Sequence, residues 1–144
     1  DEPTTGLDPQ ARHSIWTRIR SLRATGVTVL LTTHYMEEAT QLCDRVILVD
    51  HGKILLDGAP KDLIAREIGH TVIEAWNHDA EFSAAVRALA GRVEEIGDRL
   101  FFYPDDAEGA ERFFEERFPD QERQIRRATL EDVFLKRTGR ALRN

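Results

Sequence analysis

Apolar positions in residues 9–33 change their spacing once, and the change predicts two different elements. From residue 9 to about residue 26 they recur every three or four positions, which is typical of an amphipathic helix; they are Ala11, Ile15, Trp16, Ile19 and Leu22. Asp8 is a favourable N-cap, and Pro9 fits the first helical position because no helical hydrogen bond needs its missing N–H. Residues 27–33 form a nearly continuous apolar, β-branched run, which is typical of a strand buried on both faces of a parallel sheet.

The pattern of residues 36–67 predicts a second helix, a β-hairpin and a third helix. Residues 36–43 return to helical spacing, and two apolar runs at 45–50 and 53–56 flank the turn dipeptide His51-Gly52. A short helix follows at residues 60–67, with proline at its start. A helix, a buried strand, a helix and another strand in succession predict an α/β fold with a doubly wound sheet and an antiparallel hairpin at its edge.

Gly69 is the expected domain boundary, because the pattern changes after it. Strands and helices are then predicted in the order β-α-β-β-α-β-α, over residues 71–76, 80–89, 92–96, 99–103, 107–118 and 122–126 and a last helix that Thr129 and Asp132 cap. The first six elements have the order of a split βαβ, ferredoxin-like unit. We therefore expect one domain at residues 1–68 and a small α+β accessory domain at residues 69–144.

Composition narrows the classes of protein that this chain can belong to. The 144 residues are 41% hydrophobic and 32% charged, which favours a packed core, and the formal net charge is −6. Neither half concentrates basic residues as nucleic-acid binders do, so no nucleic-acid partner is expected. No apolar stretch approaches the ~18 residues of a membrane span. Any membrane connection is therefore expected to run through a partner, and the single cysteine, Cys43, is expected to be a small buried residue.

Two adjacent carboxylates, Asp1 and Glu2, and an isolated imidazole, His34, are the candidates for chemistry. Phosphoryl transfer from ATP needs a metal ion to neutralise phosphate charge and a group that orients the attacking water. Both acidic side chains can reach one site where a strand ends and turns. The alternative interpretations are an exposed acidic turn before a helix and a structural histidine at a strand end.

The string Asp1-Glu2-Pro3-Thr4-Thr5-Gly6-Leu7-Asp8 resembles the end of the Walker B strand and the following D-loop of ATP-binding cassette (ABC) ATPases. His34, at the end of the apolar run, is similar to the switch histidine of that family. The resemblance implies a P-loop NTPase-type doubly wound sheet, of which residues 1–68 would be the second half, and ATP and Mg²⁺ as cofactors.

Roles follow from the resemblance residue by residue. Asp1 is similar to the aspartate that coordinates Mg²⁺, and Glu2 to the general base for attack of water on the γ-phosphate. His34 is similar to the residue that contacts that phosphate. Asp8 resembles the D-loop aspartate that acts across the dimer interface, and Gly6 is expected to permit the turn of the D-loop.

Three motifs of the family are absent from the sequence. There is no Gly-x-x-x-x-Gly-Lys-Ser/Thr loop to hold phosphates, no glutamine-containing loop and no Leu-Ser-Gly-Gly signature. All three precede the Walker B strand in the family. We therefore expect the chain to be the C-terminal part of a longer protein, inactive as an ATPase by itself.

Residues 129–140, which include Leu-Glu-Asp-Val-Phe, resemble the C-terminal part of bacterial drug- and nodulation-factor-export ATPases that pair with ABC-2 type membrane subunits. The resemblance implies the ATP-hydrolysing subunit of an ABC exporter, which dimerises head to tail with a second copy and drives a separate permease. Its expected location is cytoplasmic, on the inner face of the bacterial plasma membrane. The alternatives are a soluble ABC ATPase without a transport role and a non-catalytic regulatory or dimerisation module.

Overall fold

The computed structural model describes residues 1–139. Contacts group them into two compact units, one formed by Asp1–Leu63 and the segment from Thr129 onward, the other by Ile64–Ala128. The expected division at Gly69 differs from this grouping, because the last helix contacts a helix of the first unit. Among the described residues, no helix is both long and apolar enough to cross a membrane.

The first unit begins with a turn that leads into helix α1 (Pro9–Ala24). Asp8 caps this helix as predicted, since its Oδ1 accepts hydrogen bonds from the backbone N–H groups of Gln10 and Ala11, each at 2.9 Å. The buried residue of α1 is Trp16, which is 3% exposed. Capping and one large buried aromatic therefore anchor a helix whose other faces are largely open to solvent.

Residues 27–33 do not form the buried strand that their apolar run predicts. No strand is assigned there, and Leu30 is 94% exposed. A strand needs a neighbouring backbone for its ladder of hydrogen bonds, and none of the described strands pairs with this segment. A doubly wound sheet is accordingly not seen among the described residues, and the sheet of this unit is two-stranded.

The remaining elements of the first unit are an antiparallel hairpin and three helices. They are α2 (Met36–Leu42), β1 (Val46–Asp50), β2 (Lys53–Gly58), α3 (Pro60–Glu67) and, from the end of the chain, α6 (Leu130–Thr138). The boundary between the two units falls within one of these helices, α3. The hairpin pairs Leu48 with Leu56, as its sequence predicts. The capping box of α6 is also confirmed, because the backbone N–H of Thr129 donates to Asp132 Oδ2 at 2.8 Å.

The second unit is one four-stranded antiparallel sheet with two helices. Its elements are β3 (Thr71–Trp76), α4 (Ala80–Arg87), β4 (Gly91–Ile96), β5 (Arg99–Pro104), α5 (Ala107–Arg117) and β6 (Arg123–Arg127). The strand order is β4-β5-β3-β6, and each neighbouring pair is antiparallel. The predicted succession β-α-β-β-α-β is therefore present. The result is a mixed α/β chain whose sheets are antiparallel.

Aromatic rings from the helices and the sheet form the core of the second unit. Phe114 of α5 lies 5.4 Å from Phe82 of α4 and 6.1 Å from Phe102 of β5, measured between ring centroids. All three rings are at most 1% exposed. Full burial of a side chain of this size contributes about 1.5–3 kcal/mol, so each of the three rings stabilises the unit by an amount of that order.

The other face of β3 carries a buried charge. Glu74 alternates with the core residues Ile73 and Ala75 and is 3% exposed. Its carboxylate forms ion pairs with Arg99 and with Arg126, whose Nε lies 3.0 Å from Oε2. Two guanidinium groups thus offset the cost of removing this carboxylate from water.

Candidate functional site

Asp1 and Glu2 are held beside the end of the apolar run. The backbone N–H of Glu2 donates to the carbonyl oxygen of Thr32 at 2.8 Å, and the Thr32 hydroxyl donates to Asp1 Oδ1. Residues far apart in sequence therefore share one edge of the first unit. Sequence reasoning missed Thr32, although a hydroxyl two positions before the candidate histidine is a signal that could have been used.

Glu2 and His34 are in direct contact. Nδ1 of His34 lies 3.2 Å from Oε1 of Glu2, and the Thr5 hydroxyl donates to Oε2 at 3.1 Å. The Glu2 side chain is 46% exposed and that of His34 is 35% exposed, so both remain accessible to water and to a ligand. In the tautomer that carries its proton on Nδ1, His34 donates a hydrogen bond to this carboxylate, and Nε2 is then the ring nitrogen that remains for a ligand.

The backbone at Glu2 is left-handed, with φ of 40°. A non-glycine residue in this region costs of order 1 kcal/mol or more, and such residues cluster at functional sites. The turn continues through a hydrogen bond from Leu7 N–H to Thr4 C=O at 3.2 Å, and Gly6 has φ of 76°. Glycine adopts that value without steric cost, so Gly6 lies where the expected turn requires it.

Asp8 has a local role, because the two hydrogen bonds that its Oδ1 accepts cap helix α1. This capping role accounts for its position without any partner molecule. Its expected role across a dimer interface stays a prediction.

Tyr35 places an aromatic ring beside the candidate histidine. The ring centroids of His34 and Tyr35 are 4.3 Å apart, and the guanidinium of Arg12 lies 4.8 Å from the Tyr35 centroid. The backbone N–H of Tyr35 also donates to Thr33 Oγ1 at 3.0 Å. These contacts restrict the segment that carries His34, and no sequence motif singled out Tyr35 or Arg12.

A buried hydrogen-bond cluster lies beneath these residues. Oε1 of Glu38 accepts from the Thr4 hydroxyl at 2.7 Å and from the indole N–H of Trp16 at 2.9 Å. Thr4 and Glu38 are both 0% exposed. Sequence reasoning missed this cluster, although Glu38 precedes buried Leu42 by one helical turn and therefore lies on the apolar face of α2.

Cys43 is not a candidate nucleophile. It follows the last residue of α2 and is half-buried, not fully buried as expected. Burial raises the pKa of its thiol, and the charge of Arg23 partly opposes that rise. Little thiolate is therefore present at neutral pH.

The carboxylate of Asp1 is a ligand of the type that Mg²⁺ prefers. No group of three or more His, Cys, Asp or Glu side chains capable of holding a metal occurs within residues 1–139. Mg²⁺ is commonly held by one or two carboxylates, with water and substrate phosphates completing its shell. A lone Asp1 beside the Thr32 hydroxyl is consistent with that mode, and with no dedicated protein cage.

Comparison with known proteins connects this site to a family. A family model described as the C-terminal domain of the nodulation factor export protein NodI matches residues 74–139. Proteins named Nod factor export ATP-binding protein I match the whole chain: that of Ralstonia nicotianae is 47% identical, and those of Paraburkholderia xenovorans and Sinorhizobium fredii are each 48% identical.

The alignments cover 100% of this chain but 47%, 47% and 42% of the respective relatives. The chain thus spans about half the length of the curated relatives it matches. The ABC resemblance of the Asp1–Asp8 string and the export-type resemblance of the C-terminal segment are both confirmed by these matches. Over its whole length, the chain is thus similar to ABC transporter ATPases of the Nod factor export type, and its residues 74–139 match the NodI C-terminal domain.

Proposed function

We propose that the protein to which this chain belongs is the ATP-hydrolysing subunit of a bacterial ABC exporter. The observation that carries the proposal is the 3.2 Å contact between Glu2 and His34, in a chain related over its whole length to export ATP-binding proteins. An exposed carboxylate and an exposed imidazole held together are the groups that water activation and phosphate contact require.

Each residue of the site has a chemical task in this proposal. Glu2 accepts a proton from the attacking water, and His34 donates to Glu2 through Nδ1–H and, when both ring nitrogens carry a proton, to the terminal phosphate through Nε2–H. Asp1 would hold Mg²⁺, which supplies neutralisation of phosphate charge when bound. The Thr5 hydroxyl and the Thr32 carbonyl keep Glu2 in place, so the carboxylate is oriented before substrate arrives.

Partners and location follow from the same proposal. A second copy of the ATPase would complete two nucleotide sites head to tail, and an ABC-2 type permease would carry the exported compound. The protein would then lie in the cytoplasm against the inner face of the plasma membrane. Residues from Ile64 to Ala128 would form a ferredoxin-like accessory domain, and residues 1–63 would complete a doubly wound sheet with further parts of the protein.

Substitution of Glu2 by glutamine tests the proposal in the purified product of the complete gene. Glu2→Gln should lower kcat for ATP hydrolysis by at least ~100-fold and leave ATP affinity within about threefold, because it removes a base and no phosphate contact. His34→Ala should likewise reduce kcat more than affinity.

Glu37→Gln is the matched control, because Glu37 is an exposed carboxylate on α2 near the same histidine. It should retain the parent kcat. Radiolabelled ATP hydrolysis and equilibrium binding measure the two quantities. A Glu2→Gln protein that still turns over ATP at the parent rate would exclude Glu2 as the base.

A further inference from the structure

Glu38 is a buried carboxylate with neutral donors as its partners. It is 0% exposed, and its Oε1 accepts both the Thr4 hydroxyl and the Trp16 indole N–H. Among the described residues, Oε2 has no hydrogen-bond partner and Glu38 forms no salt bridge. A carboxylate in this setting is expensive to bury, so stability alone is a weak reason for its presence.

The two ends of the Thr4–Glu38 hydrogen bond belong to the two segments that carry the candidate catalytic groups. Thr4 follows Glu2 by two residues in the same turn. Glu38 follows His34 by four residues, in helix α2, which begins at Met36. The exposed Glu2–His34 contact at 3.2 Å and the buried Thr4–Glu38 contact at 2.7 Å therefore bridge the same pair of segments.

The buried contact is the stronger geometric constraint of the two. Glu2 and His34 are accessible to solvent, and their 3.2 Å separation is long for a charge-assisted hydrogen bond. Thr4 and Glu38 are fully buried and meet at 2.7 Å, a favourable distance for a hydroxyl donor. A displacement of the turn would break this buried bond, which water cannot replace there.

We propose that Glu38 is a positioning residue for ATP hydrolysis, which acts through Thr4 to hold the Glu2 carboxylate against His34. This inference rests on the proposed function. The Trp16 branch of the cluster fixes α1 to α2, and the Thr4 branch fixes the turn that carries Glu2. The two branches should therefore have different consequences when each is removed.

The test compares Thr4→Val with Thr4→Ser in the purified product of the complete gene. Valine keeps the shape and removes the donor, whereas serine keeps the hydroxyl. Thr4→Val should lower kcat by roughly 10–100-fold with KM and ATP affinity unchanged, since a small displacement of a catalytic group has effects of that size. Thr4→Ser should restore kcat to within about threefold of the parent.

Glu38→Gln and Trp16→Phe complete the test. The Gln side-chain oxygen can still accept both hydrogen bonds, so Glu38→Gln should keep most of the activity, and Glu38→Leu should lose it as Thr4→Val does. Trp16→Phe should lower the unfolding midpoint and keep kcat within about twofold. Thr40→Val, an exposed threonine of α2 that bonds Met36 C=O, is the control and should change nothing.

Two results would overturn the inference. One is a folded Thr4→Val protein with unchanged kcat; the other is a loss of kcat that serine does not restore and that parallels a loss of ATP affinity and of folding stability. Failure of the proposed function is distinguishable, because the parent protein would then hydrolyse no ATP, or Glu2→Gln would leave turnover intact.

Discussion

At the scale of single residues, the first unit contains an exposed pair of residues in contact and a buried pair that connects the same two segments. Glu2 and His34 meet at the surface, while Thr4 and Glu38 meet beneath them. The exposed pair is suited to chemistry because water reaches it, and the buried pair is suited to positioning because water does not. Glu2 also has a left-handed backbone, a strained conformation that its surroundings must stabilise.

Gly91 supports a prediction at this scale. A Cβ added there would lie 2.5 Å from the Tyr103 carbonyl oxygen and 2.8 Å from a ring carbon of Phe102, and φ is 144°. Gly91→Ala should therefore destabilise the protein by about 2–4 kcal/mol, from backbone strain and overpacking together. Urea unfolding measures the change.

Gly97→Ala is the matched control for Gly91→Ala. Gly97 also has a positive φ, 62°, but a Cβ there would meet nothing within 4 Å. Its substitution should cost about 1 kcal/mol. Equal costs at the two positions would show that the close approach of Gly91 to β5 contributes nothing.

At the scale of elements, structures that depend on local sequence signals form as predicted, whereas the strand that depends on long-range pairing does not. Helix α1, the β1–β2 hairpin and helix α6 form where capping residues and a turn dipeptide predict them. Residues 27–33 have the composition of a buried strand, and yet they pair with none of the described strands and are partly exposed. The composition of a segment indicates its propensity to form a strand. The strand itself also requires a neighbouring strand for its ladder of hydrogen bonds, and composition does not specify that neighbour.

The hairpin supports a prediction about pH. Nε of Arg45 donates to Asp57 Oδ1 at 2.7 Å, and Nη2 of Arg45 donates to Asp57 Oδ2 at 2.6 Å. This hydrogen bonding is the main reason that the pKa of Asp57 falls below its usual range. A folded-state pKa below the unfolded value stabilises the hairpin above the unfolded pKa, and the contribution is lost as pH falls through the folded pKa.

NMR titration of the Asp57 carboxyl carbon measures this pKa. Arg45→Gln should return it towards the ordinary value of about 3.9. Arg66→Gln, a change on helix α3, should not move it. An Asp57 pKa that is the same in the parent and Arg45→Gln proteins would contradict the assignment of the shift to Arg45.

At the scale of the whole molecule, the last helix belongs with the first unit. Helix α6 follows β6 in sequence but contacts α2, the helix that carries Glu38. The family model for the NodI C-terminal domain matches residues 74–139 and so includes most of the second unit's sheet as well as this helix. The bounds of the matched family region therefore differ from the bounds of the two compact units.

The absence of a phosphate-binding loop from the sequence leads to a prediction for the 144-residue chain itself. It should bind a fluorescent ATP analogue in the presence of Mg²⁺ weakly or not at all, with a dissociation constant no tighter than about 1 mM, since Glu2 and His34 alone provide no cradle for the phosphates. Fluorescence anisotropy measures binding. Micromolar affinity would contradict this expectation, and Glu2→Gln in the same chain would then show whether the site described above is responsible.

The sequence by itself determined the local elements and the candidate chemistry. Asp8, Thr129 and the His51-Gly52 turn act on backbone groups a few residues away, so their effects can be predicted without a fold. The motif Asp1–Asp8 and His34 indicated the family before any geometry was known. The capping residues and the turn could be predicted because each acts on backbone groups that lie near it in the sequence.

The tertiary structure alone decided which distant groups meet. It showed that Glu2 reaches His34, that Glu38 is buried against Thr4 and Trp16, and that α6 contacts α2. It also left residues 27–33 without a strand partner. These contacts depend on how segments that are far apart in sequence pack together. The free energy of removing a group such as the Glu38 carboxylate from water likewise depends on the groups packed around it, which only the tertiary structure shows.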